Sequence, residues 1–104
     1  MISSEATTKD RILITGAAGF IGAALSSKFI KSEAEVLGVD NLNSYYDVKL
    51  KLNRIKNIEK NVTKNSNWAF KKVSIIDREK LKEIFYEFRP TIVVNLAAQA
   101  GVRY

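Results

Sequence analysis

Three glycines near the start of the chain have the type and spacing to bind an anion. They are Gly16, Gly19 and Gly22 in the segment TGAAGFIG, residues 15–22, which follows a short apolar run. A glycine turn between a strand and a helix can bring backbone N–H groups up to a pyrophosphate. In that arrangement Gly16 permits the tight turn, Gly19 leaves room for the phosphates, and Gly22 lets the helix pack close to the sheet. A strand-to-helix turn without a ligand remains the alternative for the glycine pattern alone.

An acidic residue follows the glycines at a distance that suits a nucleotide. Asp40 ends a second apolar run, close to the offset of about 20 residues expected for an acid that binds ribose hydroxyls. An added 2′-phosphate would face a like charge there, and neither Asn41 nor Leu42 is basic, so the pattern favours NAD over NADP. The alternative is an Asp that serves only as a turn residue at a strand end.

The elements that must position these residues alternate between strands and helices. Apolar runs predict strands at residues 12–14, 36–39, 68–76 and 91–95. Helical spacing predicts helices over residues 19–31, over the basic segment after residue 47, and from Asp77 to Pro90. Nearly all-apolar strands separated by helices indicate an α/β fold, half of a doubly wound parallel sheet, with about four strands and three crossover helices.

Composition limits the chemistry and the number of domains. The 104 residues suffice for one small domain. The absence of Cys and His excludes disulfides, thiolate chemistry, the common zinc sites and an imidazole base. Residues 1–10 form a polar lead, and no apolar run approaches the roughly 20 residues that span a bilayer. We therefore expect a cytoplasmic protein without a membrane partner.

The net charge of +6 raises the question of a nucleic-acid partner. The cations of the central segment interleave with apolar residues, which indicates an amphipathic helix with a solvated basic face and no nucleic-acid partner. The cations are Lys49, Lys51, Arg54, Lys56, Lys60 and Lys64, and the apolar residues are Val48, Leu52, Ile55 and Val62.

The Gly-x-x-Gly-x-x-Gly spacing resembles that of the short-chain dehydrogenase/reductase superfamily. Three segments narrow the resemblance to the extended branch of NAD-dependent epimerases and dehydratases: TGAAGFIG at 15–22, DNLN at 40–43 followed by YYD at 45–47, and NLAAQAGVRY at 95–104. Residues 97–104 together with 41–43 are most similar to UDP-glucuronate 4-epimerases. The resemblance covers nearly the whole chain from Arg11 onward.

The resemblance implies a partial Rossmann domain over residues 11–104, without a substrate domain, and a sheet in the order 3-2-1-4-5. It implies that the pyrophosphate of NAD contacts Gly16, Gly19, Phe20, Ile21 and Gly22, and that the adenosine ribose contacts Asp40, Asn41 and Asn43. It also implies that the adenine lies near Ile75 and that the middle of the cofactor contacts Leu96, Ala97 and Ala98. Ser74 stands where the family usually has an Asp that contacts the adenine amino group, which would weaken that contact.

The resemblance also implies an activity, the removal and return of a hydride at a sugar carbon by NAD. The family's catalytic Tyr-x-x-x-Lys pair follows later strands, so no catalytic residue is assigned in this chain. Tyr45 and Lys49 match the pair by spacing, but they follow the second strand, beside the adenosine end of the site, and we interpret the match as accidental. A related dehydratase, a UDP-glucose 4-epimerase and a shortened, non-catalytic dinucleotide-binding module remain alternatives. The fourth strand would lie at an unpaired edge, which predicts self-association.

Overall fold

The computed structural model describes residues 10–42 and 48–97. In this part of the chain four strands alternate with three helices, which confirms the predicted α/β fold. Their order and bounds are β1 (Arg11–Thr15), α1 (Phe20–Lys31), β2 (Glu35–Asp40), α2 (Val48–Glu59), β3 (Asn67–Lys72), α3 (Arg78–Phe88) and β4 (Ile92–Asn95).

The strands form one parallel sheet in the order β3-β2-β1-β4. The register places Leu13 of β1 opposite Leu37 of β2 on one side and Val93 of β4 on the other. Because all the strands are parallel, their carboxyl ends lie at one edge of the sheet, and a helix crosses back between successive strands. The order agrees with the first four positions of the predicted 3-2-1-4-5 arrangement.

Side chains alternate between the two faces of the sheet, and each face has its own core. Ile12, Ile14 and Val36 pack with Ile30 of α1 and Ile58 of α2 on one face. On the opposite face, the buried residues Leu13, Leu37 and Val39 pack with Ile84 of α3. The central strands are therefore buried on both sides, which explains their almost continuous apolar sequence.

The third strand is shorter than predicted. It ends at Lys72, which pairs with Asp40 at the end of β2, whereas the apolar pattern predicted a strand as far as Ile76. Beyond Lys72 the neighbouring strand has no further residue to pair with. The chain instead turns, with the backbone N–H of Asp77 bonded to the carbonyl of Ser74, and Ile76 is exposed.

The predicted faces of the basic helix were partly wrong. Leu52 and Val62, expected in the core, are 43% and 41% exposed, whereas the buried residues of α2 are Lys51, Ile55 and Ile58. These three follow a spacing of four and three residues, so they share one face of the helix. Lys51, expected in solvent, therefore faces the body of the protein, and only part of the basic face is solvated.

The described helices have 11 or 12 residues each. None of them combines the length and the hydropathy that crossing a lipid bilayer requires.

Candidate functional site

The turn between β1 and α1 is held by the end of β2 and requires glycine at its first position. The backbone N–H groups of Gly16 and Ala17 both donate to the carbonyl of Val39, at 2.8 and 3.1 Å. Gly16 has φ of 75°, and a Cβ on it would lie 2.8 Å from the backbone N of Ala97. Both the backbone conformation and the close approach of the chain after β4 exclude a larger residue.

Gly22 brings α1 against this turn. A Cβ at Gly22 would lie 2.0 Å from the carbonyl oxygen of Gly16, a distance that no side chain tolerates. The sequence-based roles of Gly16 in the turn and Gly22 in close packing therefore agree with the geometry.

The start of α1 is open and bears no negative charge. Gly19 is the N-cap residue, no side chain among the described residues caps the helix, and its first turn has no acidic residue. The backbone N–H groups of Phe20, Ile21 and Gly22 precede the first helical hydrogen bond, from Ala23 to Gly19, so they have no acceptor within the helix. This terminus carries partial positive charge and suits a phosphate group.

Apart from its two chain neighbours, a Cβ at Gly19 would meet, within the described chain, only the carbonyl oxygen of Gly16, at 3.3 Å. The space beside Gly19 is thus open on the side of the helix terminus, where Phe20 is 79% exposed. The loop fits the pyrophosphate of a dinucleotide, because a ligand can approach the backbone here without meeting a side chain.

Asp40 lies next to this loop and, among the described residues, accepts hydrogen bonds from three donors. One carboxylate oxygen, Oδ2, accepts from the backbone N–H of Ala18 at 3.1 Å. The other, Oδ1, accepts from the backbone N–H of Leu42 at 2.7 Å and from Nζ of Lys51 at 3.0 Å. A carboxylate has about four acceptor sites, and within the described residues Oδ2 accepts from Ala18 alone, which leaves acceptor capacity for a ribose hydroxyl. The hydrogen bond to Leu42 is the turn contact that was weighed as an alternative role, and it coexists with the position beside the loop.

Two cations of α2 reach the same loop, and the sequence-based interpretation missed both. Lys51 pairs with Asp40, with side chains 10% and 4% exposed. Nη1 of Arg54 donates to the carbonyl of Ala18 at 3.2 Å, and its guanidinium lies 5.9 Å from the ring centroid of Phe20. The signal was present in the spacing of Lys51 with Ile55 and Ile58, but the lysine was assigned to solvent by its residue type.

The end of β4 lies beside the loop at the carboxyl edge of the sheet, on the opposite side of β1 from Asp40. The backbone N–H of Leu96 donates to the carbonyl of Thr15 at 3.0 Å, and that of Ala97 donates to the Thr15 hydroxyl at 3.4 Å. The same hydroxyl donates to the side-chain carbonyl of Asn95. Leu96 and Ala97 therefore lie directly beside Gly16. Their contact with the middle of a cofactor stays a prediction.

On the other side of Asp40, the backbone N–H of Val73 donates to the Asp40 carbonyl at 3.1 Å. Ile75, predicted near the adenine, follows two residues later and is half-buried. Ser74 accepts a hydrogen bond from the backbone N–H of Ile76 through its hydroxyl at 3.3 Å. Asn41 is exposed beside Asp40. The predicted contacts Asn43 and Ala98, and Tyr45 of the accidental Tyr-x-x-x-Lys match, lie outside the described residues.

These features define a class of protein. A parallel sheet in the order β3-β2-β1-β4, a glycine turn from the first strand into the first helix and an acid at the end of the second strand together make a Rossmann-type dinucleotide-binding fold.

Comparison with protein families identifies the group within this class. The family model described as GDP-mannose 4,6 dehydratase matches residues 13–104, and the chain belongs to this family. The predicted resemblance to NAD-dependent epimerases and dehydratases is thereby confirmed.

Individual relatives agree with this assignment. The chain is 50% identical over 94 residues to Protein CapI of Staphylococcus aureus, covering 90% of this chain and 27% of that protein. It is 43% identical over 91 residues to a UDP-glucuronate 4-epimerase of Thermodesulfobacterium geofontis, covering 88% and 27%. A solved UDP-glucose 4-epimerase of Thermus thermophilus in complex with NAD is 36% identical, with a TM-score of 0.61 and coverage of 88% and 25%. The chain thus spans about a quarter of the length of the relatives it matches.

Proposed function

We propose that this chain is the N-terminal, NAD-binding portion of a nucleotide-sugar epimerase of the UDP-glucuronate 4-epimerase type. One structural relationship carries the proposal: the Asp40 carboxylate lies 3.1 Å from the backbone N of Ala18 in the glycine turn. A pyrophosphate site and a ribose acceptor are therefore adjacent, as a dinucleotide requires. The names of the relatives, a UDP-glucuronate 4-epimerase and an NAD-bound UDP-glucose 4-epimerase, support the substrate class and the cofactor.

The proposed site runs along the carboxyl edge of the sheet. Backbone N–H groups at the start of α1 bind the pyrophosphate, and Oδ2 of Asp40 accepts a hydrogen bond from a ribose hydroxyl. Residues on either side extend the contact: Asn41, Asn43 and Ile75 toward the adenosine end, and Leu96, Ala97 and Ala98 toward the middle of the cofactor. Ser74 replaces the carboxylate that the family usually presents to the adenine, so this chain forgoes that charge-assisted hydrogen bond.

Bound NAD supplies the hydride acceptor and donor for oxidation and reduction of a sugar carbon. The part of this chain in that chemistry is binding and orientation: the start of α1 fixes the phosphates, and the packing of Gly16 against Ala97 fixes the distance between the loop and the end of β4. None of the cofactor-binding residues assigned here is given a role in proton transfer. A related dehydratase, a UDP-glucose 4-epimerase and a non-catalytic dinucleotide-binding module fit the same half-site.

The remaining features of the proposal concern partners and location. Within the described residues, β4 pairs with β1 on one side and with no strand on the other, and Ile92 and Val93 are 39% and 46% exposed. We propose that the protein associates with itself through this edge, since unpaired backbone groups beside apolar side chains favour strand pairing. We further propose a cytoplasmic protein without a membrane partner. We also propose that it has no nucleic-acid partner, because Lys51 and Arg54, two cations of the basic helix, bind groups within the protein.

Calorimetric titration of the chain with NAD, and separately with NADP, tests the proposed cofactor. We expect saturable NAD binding and weaker NADP binding. The variant Gly19→Val places a branched side chain in the open space of the loop and abolishes NAD binding, while Ala24→Val, on the exposed side of α1, serves as a control that retains it. Equal NAD binding by Gly19→Val and the unchanged chain would refute the pyrophosphate site.

A further inference from the structure

A buried ion pair lies at the ribose end of the proposed site. Nζ of Lys51 is 3.0 Å from Oδ1 of Asp40, and the two side chains are 10% and 4% exposed. Lysine is rarely buried to this extent without a specific partner, because removing its ammonium from water is costly. A lysine on this face of α2 therefore requires Asp40, and the sequence of an ordinary amphipathic helix would have an apolar residue there.

The pair determines how the carboxylate is presented. Oδ1 is shared by Lys51 and the backbone N–H of Leu42, whereas Oδ2, within the described residues, accepts from Ala18 and keeps acceptor capacity for one more donor. The two anchors on Oδ1 restrict the rotation of the carboxylate, and the hydrogen bond from Ala18 holds Oδ2 against the glycine turn. The ammonium has three donor positions, one of which Asp40 occupies.

We infer that Lys51 is a positioning and specificity-determining residue, and this inference rests on the proposed NAD site. Lys51 holds the Asp40 carboxylate toward the ribose and offsets its negative charge. The discrimination between a ribose 2′-hydroxyl and a 2′-phosphate is therefore a property of the Asp40–Lys51 pair and not of Asp40 alone.

Charge gives the two members of the pair opposite effects on a 2′-phosphate. The carboxylate repels the phosphate and accepts from a hydroxyl, whereas the ammonium attracts the phosphate. Both effects are strong at this position because the pair is shielded from solvent. When the carboxylate is neutralised, the ammonium loses its ionic partner and becomes free to pair with a phosphate instead.

The test measures the affinities for NAD and NADP in a set of variants. Lys51→Met keeps most of the length of the side chain and removes its charge, and Asp40→Asn keeps the shape of its side chain and removes its charge. We expect Lys51→Met to weaken NADP binding more than NAD binding, and Asp40→Asn to shift the ratio of the two affinities toward NADP, each by about tenfold. The double variant loses the gain in NADP binding seen in Asp40→Asn, and Lys51→Arg keeps the original preference for NAD.

Lys56→Met is the matched control, since Lys56 is an exposed cation of the same helix. It removes the same formal charge, and we expect the ratio of the affinities to remain unchanged. A purely structural role for Lys51 would weaken both dinucleotides equally and leave their ratio constant, which would overturn the inference while the NAD site stood. An equal change in Lys56→Met would also overturn it. An absence of saturable NAD binding in the unchanged chain would overturn the proposed function and this inference together. Circular dichroism of each variant verifies that it is folded.

Discussion

The carboxylate of Asp40 and the backbone N–H of Ala18 are joined by a buried hydrogen bond of 3.1 Å across 22 residues of sequence. It connects the end of β2 to the glycine turn, and the same carboxylate binds Lys51 of α2. One side chain thus holds together three segments that meet at the carboxyl edge of the sheet. This makes Asp40 a structural residue as well as the proposed ribose acceptor, and the two roles can be separated by measuring stability apart from binding.

Asp40→Ala should destabilise the fold, because it leaves the Lys51 ammonium buried without its partner. Removal of one member of a buried pair costs about 3–5 kcal/mol. The free energy of unfolding can be measured by urea denaturation, with the fluorescence of Trp68, the single tryptophan of the chain, as the signal. The variant Asp40→Ala/Lys51→Met removes both charges and should recover part of the loss. If the double variant were less stable than Asp40→Ala, the unpaired ammonium would not be the source of the destabilisation.

Gly22→Ala should prevent α1 from packing against the turn. The added Cβ would lie 2.0 Å from the carbonyl oxygen of Gly16 and 3.0 Å from the Cα of Ala17, and backbone atoms on both sides leave little room for adjustment. We expect a loss of about 3 kcal/mol or more, at the upper end of the range for overpacked sites, measured as a lower midpoint of thermal unfolding by circular dichroism.

Gly19→Ala provides the comparison within the same loop. Its Cβ would meet the Gly16 carbonyl at 3.3 Å, so a shift of a few tenths of an ångström accommodates it. We therefore expect a much smaller change in the unfolding midpoint. Equal midpoints for the two variants would contradict the tight contact between α1 and the turn.

The order and type of the elements could be predicted because local patterns determine them. Ile12, Leu13 and Ile14 are buried on alternate faces of the sheet, which requires the continuous apolar run that was recognised. Asp77 accepts from the backbone N–H of Lys80 at 3.2 Å, so the predicted helix cap is also a local interaction. Both features involve residues close together in the sequence, and for that reason a single sequence reveals them.

The environment of Asp40 could not be predicted in the same way. Its pairing with Lys51 depends on the rotation of α2 about its own axis, which is fixed by contacts of Ile55 and Ile58 with other elements. The predicted apolar stripe contained Leu52, whereas the buried face of the helix contains Lys51 and Ile58. The end of β3 at Lys72 likewise depended on the length of its neighbour β2, and residue types alone carry no information about a partner's length.

Arg11 should contribute to stability at the opposite edge of the sheet from the proposed site. Its Nε donates to the carbonyl of Phe88 at 2.7 Å, its guanidinium lies 4.5 Å from the centroid of the Phe88 ring, and Nη1 bonds to Glu35. The bond to Phe88 satisfies a carbonyl at the end of α3.

Because the side chain is 33% exposed and solvent screens the ion pair, we expect Arg11→Ala to cost about 1–2 kcal/mol in urea denaturation. Arg11→Lys should recover little of it, since an ammonium cannot make the forked contacts of a guanidinium. Arg78→Ala, an exposed residue at the start of α3, is the control. NAD binding by Arg11→Ala at a temperature where it is folded should equal that of the unchanged chain, and weaker binding there would show that this cluster affects the site.

Val93→Lys should reduce the proposed self-association, because a charge beside an open strand edge opposes pairing with a second strand. Val93 lies in the middle of β4 and is 46% exposed, so a lysine there reaches solvent without disturbing the pairing of β4 with β1. Light scattering over a range of protein concentrations measures the effect as a decrease in average mass. Tyr86→Lys replaces a 78% exposed aromatic residue on α3 and adds the same charge away from the edge, so it should leave the average mass unchanged. An equal decrease in both variants would attribute the association to exposed apolar surface in general, and a monodisperse monomer of the unchanged chain would refute self-association altogether.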